Sequence, residues 1–132
     1  MILAIDYGSR YIGLAIGTMD ERISARYGVI DQKSQEAIAT ITGTVAKERV
    51  DTILVGVPVS LAGNETAQTE ESRKFMEKLK HQLGVGVKIV GVDETLTSVE
   101  AERQIQWEGG RKEDAHAEAA RLMLSDYFKR QS

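Results

Sequence analysis

Acidic side chains end two of the apolar segments in this sequence. Asp6 closes residues 2–5, and Asp93 and Glu94 follow the apolar run that begins at residue 86. A carboxylate at the end of a buried strand is costly unless it is paired or binds a cation, and open α/β sheets place their ligands beyond the carboxyl ends of the strands. Two acids converging there supply the hard oxygen ligands of a divalent cation and leave positions for a substrate phosphate. The pattern therefore predicts a metal site that is open to a phosphate-bearing substrate.

These acids also have simpler interpretations. Asp6 could cap the turn at Gly8 by accepting hydrogen bonds from backbone amides, and the later acidic pair could be a solvated strand end. Adjacent side chains on a strand point to opposite faces of a sheet. At most one of Asp93 and Glu94 can therefore face the same site as Asp6.

The last predicted helix offers further candidate ligands. Its apolar stripe consists of Ala119, Ala120, Leu122, Met123 and Tyr127. Spacings of three and four residues extend this stripe back to His116, which predicts that His116 points inward. Asp114 is predicted to point outward, because it shares a polar stripe with Glu118, Arg121 and Ser125. A helix N-terminus favours neutral imidazole, which is a competent metal ligand, although His116 could also be an ordinary histidine beside a core.

The elements that must bring these residues together alternate in a regular order. Strands are predicted at 2–6, 11–17, 22–31, 52–57 and 86–92. Ser34 is predicted to cap a helix with Glu36 in its first turn, and a second helix is predicted over 67–82. Thr97 and Glu100 form a capping box before a helix that should reach Trp107, and the last helix should run from near Asp114 to about Lys129. The fold class predicted is α/β in a single domain over 1–132, with three antiparallel strands, then two parallel strands, and helices on both faces of the mixed sheet.

Composition limits the function classes. The 132 residues suffice for one compact domain, and the absence of cysteine excludes disulfides, thiolate catalysis and cysteine zinc sites. Nothing in the N-terminal segment predicts export, and no apolar run has the length of a membrane span. A net charge of -3 does not by itself favour a nucleic-acid partner. The local basic candidates are Arg73, Lys74, Arg103, Arg111 and Lys112.

Several segments, in order and across nearly the whole chain, resemble the YqgF/RuvX family of Holliday junction resolvases, also described as pre-16S rRNA nucleases. They are IDYGSRYIGLA at 5–15, VGVP at 55–58, GNE at 63–65, RKF at 73–75, DETLTSVEA at 93–101, AA at 119–120 and LSDYF at 124–128. The resemblance implies an RNase H-like fold and metal-dependent hydrolysis of phosphodiester bonds. It also implies a role in maturing the 5′ end of 16S rRNA or in cleaving branched DNA.

The resemblance also implies roles for individual residues. Asp6 matches the family's first catalytic aspartate, and Glu94 matches its glutamate after the fifth strand. The position of the family's third acid, an aspartate, is occupied by His116 here. The resemblance therefore leaves three possibilities: a site of Asp6, Glu94 and His116, a site in which Asp114 is the third ligand, or an enzyme with impaired activity. Tyr11 stands where the family commonly carries arginine, which removes one possible phosphate contact.

The hypothesis from sequence is therefore a cytoplasmic nuclease that uses Mg²⁺ or Mn²⁺. Asp6 would bridge the metals, Glu94 and His116 would complete the coordination shell, and Asp114 would be the alternative ligand. The predicted partner is pre-16S rRNA or branched DNA, with no membrane, and the protein would be a monomer or a homodimer. Two alternatives remain. One is a non-catalytic nucleic-acid or ribosome-assembly module, and the other is an ATP-binding domain, which would need a duplicated domain that this length cannot supply.

Overall fold

The computed structural model describes residues 1–57, 67–93 and 114–131. In chain order the elements are β1 (Ile2–Asp6), β2 (Tyr11–Gly17), β3 (Ser24–Asp31), α1 (Ala37–Glu48), β4 (Thr52–Val57), α2 (Ala67–Leu83), a 3₁₀ turn (Gly84–Gly86), β5 (Lys88–Asp93) and α3 (Asp114–Arg130). The predicted capping box at Thr97 and Glu100 and the helix to Trp107 lie outside the described residues.

One mixed sheet of five strands organises the fold, in the order β3-β2-β1-β4-β5. The antiparallel pairs are β1 with β2 and β2 with β3, whereas β4 runs parallel to both β1 and β5. The predicted α/β class, with three antiparallel strands followed by two parallel ones, is confirmed. This order makes β1 the central strand, and all five of its residues are buried.

Helices cover both faces of the sheet. On one face, α1 and α2 pack on a core that includes Leu3, Ile5, Ile12, Ile41, Ile53, Phe75 and Leu79. On the other face, α3 packs on a core that includes Ala4, Ala15, Leu54, Ala120, Leu124 and Phe128. Successive residues of β1 alternate between these two cores, because side chains alternate across a strand. Of the described helices, none is long and apolar enough to cross a membrane.

Three elements begin at residues other than those predicted from the sequence. Glu36, not Ser34, caps α1, since the Glu36 carboxylate accepts from the Ala39 amide at 2.6 Å. Ser34 belongs to the preceding turn, where its hydroxyl donates to the Asp31 carbonyl. β3 starts at Ser24, because Arg22 adopts a left-handed conformation in the preceding turn. β5 starts at Lys88, because a 3₁₀ turn occupies Gly84–Gly86.

Candidate active site

Asp6 lies at the carboxyl end of the central strand, where its side chain is almost completely buried. It pairs with Gly13 on β2 and with Gly56 on β4. Because residues paired across neighbouring strands share a face of the sheet, no side chain from either neighbouring strand flanks the Asp6 carboxylate. The sheet therefore leaves room beside this acid at the edge where parallel α/β strands present their ligand sites.

His116, in the first turn of α3, contacts this carboxylate directly. Its Nδ1 lies 2.8 Å from Asp6 Oδ2. An ionised carboxylate can only accept hydrogen bonds, so if Asp6 is ionised, His116 Nδ1 carries the proton and donates. In the neutral ring the second nitrogen, Nε2, is then the acceptor, and this is the form that binds metals.

Gly13 permits this contact. A Cβ at position 13 would collide with the backbone of His116 and Ala117, so the first turn of α3 lies directly against β2. At Gly8 a Cβ would meet the Tyr11 carbonyl and approach the His116 ring. The glycines of the 5–15 segment thus allow the close approach of helix, strand and turn that brings His116 to Asp6.

The other predicted ligands fall in different places. Glu94 lies outside the described residues, so its predicted role stays a prediction. The preceding residue, Asp93, ends β5, and its backbone pairs with that of Val57. It lies at the same edge of the sheet as Asp6 but two strands away. At ordinary strand spacing the backbones of Asp6 and Asp93 are therefore roughly 10 Å apart. Asp114 begins α3 and lines a groove between α3 and β3. Within the described ranges, no group of three or more His, Cys, Asp or Glu side chains is arranged to hold a metal ion.

Sequence reasoning missed Glu118. Helical spacing predicts that Glu118 faces outward on a polar stripe, but its side chain is only 1% exposed, so that prediction is wrong. Its Oε1 accepts from Arg26 Nε at 2.8 Å and from Arg121 Nε at 2.6 Å, and its Oε2 accepts from Arg121 Nη2 at 2.7 Å. Burial raises the pKa of Glu118, but the hydrogen bonds and charges of the two arginines outweigh it and leave this pKa below its ordinary value. The hydrogen bond from Arg26 connects β3 to α3, close to the first helical turn of α3, which contains His116.

The turn between β1 and β2 is held by a side chain from beyond β3. Gln32 Nε2 donates to the Gly8 carbonyl at 2.7 Å and to the Ser9 carbonyl at 3.1 Å. After this turn, the guanidinium of Arg10 lies over the Tyr11 ring, 4.8 Å from its centroid. The Tyr11 ring is in turn 6.2 Å from the His116 ring, centroid to centroid. Tyr11 therefore stands beside the candidate active site.

The predicted basic candidates add little within the described part of the chain. Arg73 and Lys74 are exposed on α2, where Lys74 pairs with Glu70 at 3.5 Å. Arg103, Arg111 and Lys112 lie outside the described residues. An exposed pair on one helix contributes little energy, so Lys74 by itself does not mark a nucleic-acid surface.

Comparison with known proteins identifies similar sequences over the full length. A family model described as "RuvX: Holliday junction resolvase" matches residues 1–130. A protein of Chloroflexus aurantiacus named "Putative pre-16S rRNA nuclease" is 36% identical over 97% of this chain and 86% of its own length. A protein of Dictyoglomus thermophilum with the same name is 34% identical over 96% of this chain and 94% of its own.

Solved structures extend the likeness to the fold. The fowlpox virus resolvase, solved with Holliday junction DNA, aligns with a TM-score of 0.63 at 8% identity, over 98% of this chain and 97% of its own. RuvC of Thermus thermophilus, solved with a Holliday junction substrate, aligns with a TM-score of 0.56 at 16% identity, over 98% and 94%. At such identities the likeness concerns the fold, which is the RNase H-like fold predicted from sequence.

Proposed function

The chain belongs to the RuvX family, and from this premise we propose that it hydrolyses phosphodiester bonds of pre-16S rRNA, at Asp6, in the cytoplasm. The observation that carries this proposal is the contact between Asp6 and His116 at the carboxyl end of the central strand. A nearly buried carboxylate, flanked by glycine on both neighbouring strands, is an expensive arrangement that a bound cation would compensate. The names of the relatives support the RNA substrate.

The donor set fits a divalent cation. A carboxylate has lone pairs for about four partners, so Asp6 can accept from His116 and still bind a metal. While Nδ1 donates to Asp6, His116 Nε2 points away from the Asp6 carboxylate, so His116 would have to give up this hydrogen bond to bind the same ion as Asp6. We propose Asp6, Glu94 and His116 as the ligands, with Asp114 as the alternative third ligand. The oxygen donors suit Mg²⁺ or Mn²⁺, and the imidazole favours Mn²⁺ slightly.

The chain's own residues then have distinct tasks. The chemistry supplied by bound Mg²⁺ or Mn²⁺ is activation of water and stabilisation of charge on the reacting phosphate. Asp6 would supply the negative charge that retains the cation, and a hydrogen bond from His116 Nδ1 would fix the orientation of the Asp6 carboxylate. Gly13 lets the first turn of α3 approach β2 closely enough for His116 to reach that carboxylate.

A cleavage assay with metal removal tests the proposal. With Mg²⁺ or Mn²⁺ present, the purified protein is expected to cut a transcript that contains the 5′ end of 16S rRNA with its leader. With EDTA it is expected to leave the transcript intact, because the cation supplies the water activation. A four-way DNA junction in the same buffers is the comparison substrate. Cleavage that persists in EDTA would refute the metal mechanism.

The junction is the second candidate substrate, because the matching family model is described as a Holliday junction resolvase. Preferential cutting of the junction over the transcript would replace the RNA proposal by the DNA one. If neither substrate is cut in any metal, while both are bound, the chain is a binding module without nuclease activity.

Substitution of His116 separates a ligand role from a packing role. His116→Ala is expected to lower the cleavage rate about 10- to 100-fold, the usual effect of losing a group that orients a metal ligand. His116→Asp, which introduces the family's residue, is expected to recover most of that rate because it again supplies an oxygen donor. Rates are measured over a Mn²⁺ titration, where the alanine variant should need more metal. Equal rates for all three proteins would contradict a role for His116 at the metal.

A further inference from the structure

A groove of about 490 Å³ runs beside the candidate active site, between β3 and α3. Its lining includes Tyr11, Arg26, Val29, Asp31, Asp114 and Ala117. Its volume lies within the range of small-molecule binding sites. Tyr11 is the residue shared between this groove and the active site, because its ring lies next to that of His116.

We propose that this groove binds the base of an unpaired nucleotide next to the cleaved phosphate, with the Tyr11 ring and the Arg10 guanidinium over it as the stacking surface. This inference rests on the proposed nuclease function, since it places the nucleotide beside Asp6 and His116. The relevant ligand chemistry is a single-stranded segment of RNA or DNA. A base inside a duplex cannot offer its flat face to a side groove, whereas an unpaired one can stack on an aromatic ring.

The charges of the groove favour a base at Tyr11 over a second phosphate. The Asp31 carboxylate lies 3.6 Å from Arg10, whose guanidinium covers Tyr11, so this end of the groove carries a paired acid and base. Stacked cationic and aromatic groups form a flat surface of the kind on which bases stack. The residue that the family commonly has at this position, arginine, would have offered hydrogen bonds to a phosphate instead.

The rest of the groove does not favour a phosphate either. Its lining contains Arg26 together with the carboxylates of Asp31 and Asp114. Arg26 is in addition bound by the completely buried Glu118. An uncharged base therefore suits this groove better than a second phosphate does, because charges of like sign repel.

Binding without cleavage tests the proposal. Fluorescence anisotropy in EDTA would measure the affinity of the protein for labelled single strands of about ten nucleotides, in RNA and DNA forms, and for blunt duplexes of the same sequences. Tyr11→Leu keeps apolar bulk but lacks an aromatic face, and is expected to weaken single-strand binding roughly 5- to 100-fold. Duplex binding should stay unchanged. Tyr11→Phe should bind both ligands as the parent protein does.

Two further variants sharpen the comparison. Tyr11→Arg restores a phosphate contact, and is expected to raise duplex affinity and to reduce the preference for single strands. Arg130→Ala is the matched control, because Arg130 is an exposed arginine of the same helix, paired with Asp126 far from the groove. It should leave both affinities unchanged. Measuring each affinity with RNA and with DNA strands shows which sugar the groove accepts.

A fluorescent base keeps the test decisive even if Tyr11→Leu does not fold. A 2-aminopurine in the single strand changes its emission when it stacks, so it should report stacking in the parent protein at one or two positions of the strand. The proposal is overturned if no position responds, or if Tyr11→Leu folds and binds single strands as tightly as the parent. Equal losses on single strand and duplex would also overturn it. Failure of the nuclease proposal would appear separately, as intact transcript in Mn²⁺ with these affinities unaltered.

Discussion

Asp6→Asn is expected to reduce the cleavage rate by at least about 1,000-fold, since charge stabilisation by a metal is worth several kcal/mol. The asparagine has nearly the same shape, and its Oδ1 can still accept from His116 Nδ1. The variant therefore removes the negative charge and little else. The loss is measured as single-turnover cleavage of the rRNA transcript in saturating Mn²⁺.

Stability separates this chemical effect from an effect on folding. The Asp6 side chain is only 5% exposed, and a buried carboxylate raises the free energy of the folded state more than a buried amide does. We therefore expect Asp6→Asn to unfold at the same temperature as the parent or at a higher one, while activity disappears. Inactivity combined with equal or greater stability is typical of a residue retained for function.

A matched control is available at the opposite edge of the sheet. Asp51 precedes β4, is 71% exposed, and contacts only the chain's N-terminal ammonium among the salt bridges identified for it in the described part of the chain. Asp51→Asn should leave the cleavage rate within about twofold, because an exposed ion pair contributes little. If Asp6→Asn cleaves as fast as Asp51→Asn, the proposed chemistry has no basis at Asp6.

The strands that could be predicted from sequence are those with continuous apolar runs. The bounds predicted for β1, β2 and β4 are those observed, because buried central strands carry apolar residues on both faces. The boundaries that were wrong lie where a local turn competes with the element. Ser34 bonds back to the Asp31 carbonyl, so the helix cap falls on Glu36.

The candidate site could be predicted in part. Helical spacing places His116 toward the sheet, and the structure has it in contact with Asp6. Any side chain at Gly13 would collide with α3. This close contact depends on how segments far apart in the sequence pack together, so residue spacing could not predict it. The role of Glu94 stays a prediction, because the chain from 94 to 113 lies outside the described residues.

Glu118 shows why the same spacing argument fails for charges. Its i,i+3 partner Arg121 is visible in the sequence and is compatible with a solvated surface. Its second partner, Arg26, is 92 residues away and reaches it only when β3 lies beside α3. A polar stripe on a helix can therefore face the interior when a strand supplies the opposite charge.

Glu118→Ala is expected to destabilise the protein by about 3 kcal/mol, because removing one partner of a buried ion group leaves the others uncompensated. This value is at the lower end of the range for such groups, since both arginine side chains are about one-third exposed to water. For a chain of this length the loss corresponds to a fall in Tm of roughly 10 °C. Thermal and urea unfolding, followed by circular dichroism, measure it.

Replacing the whole group tests whether the ion group itself is needed for stability. In Arg26→Met, Glu118→Met and Arg121→Met combined, apolar side chains of similar length fill the space and no charge remains. We expect this triple variant to recover most of the stability that Glu118→Ala loses. If the triple variant were as unstable as Glu118→Ala, neither uncompensated charge nor lost volume would explain the loss, and the ion group itself would be essential to the packing of α3 on β3.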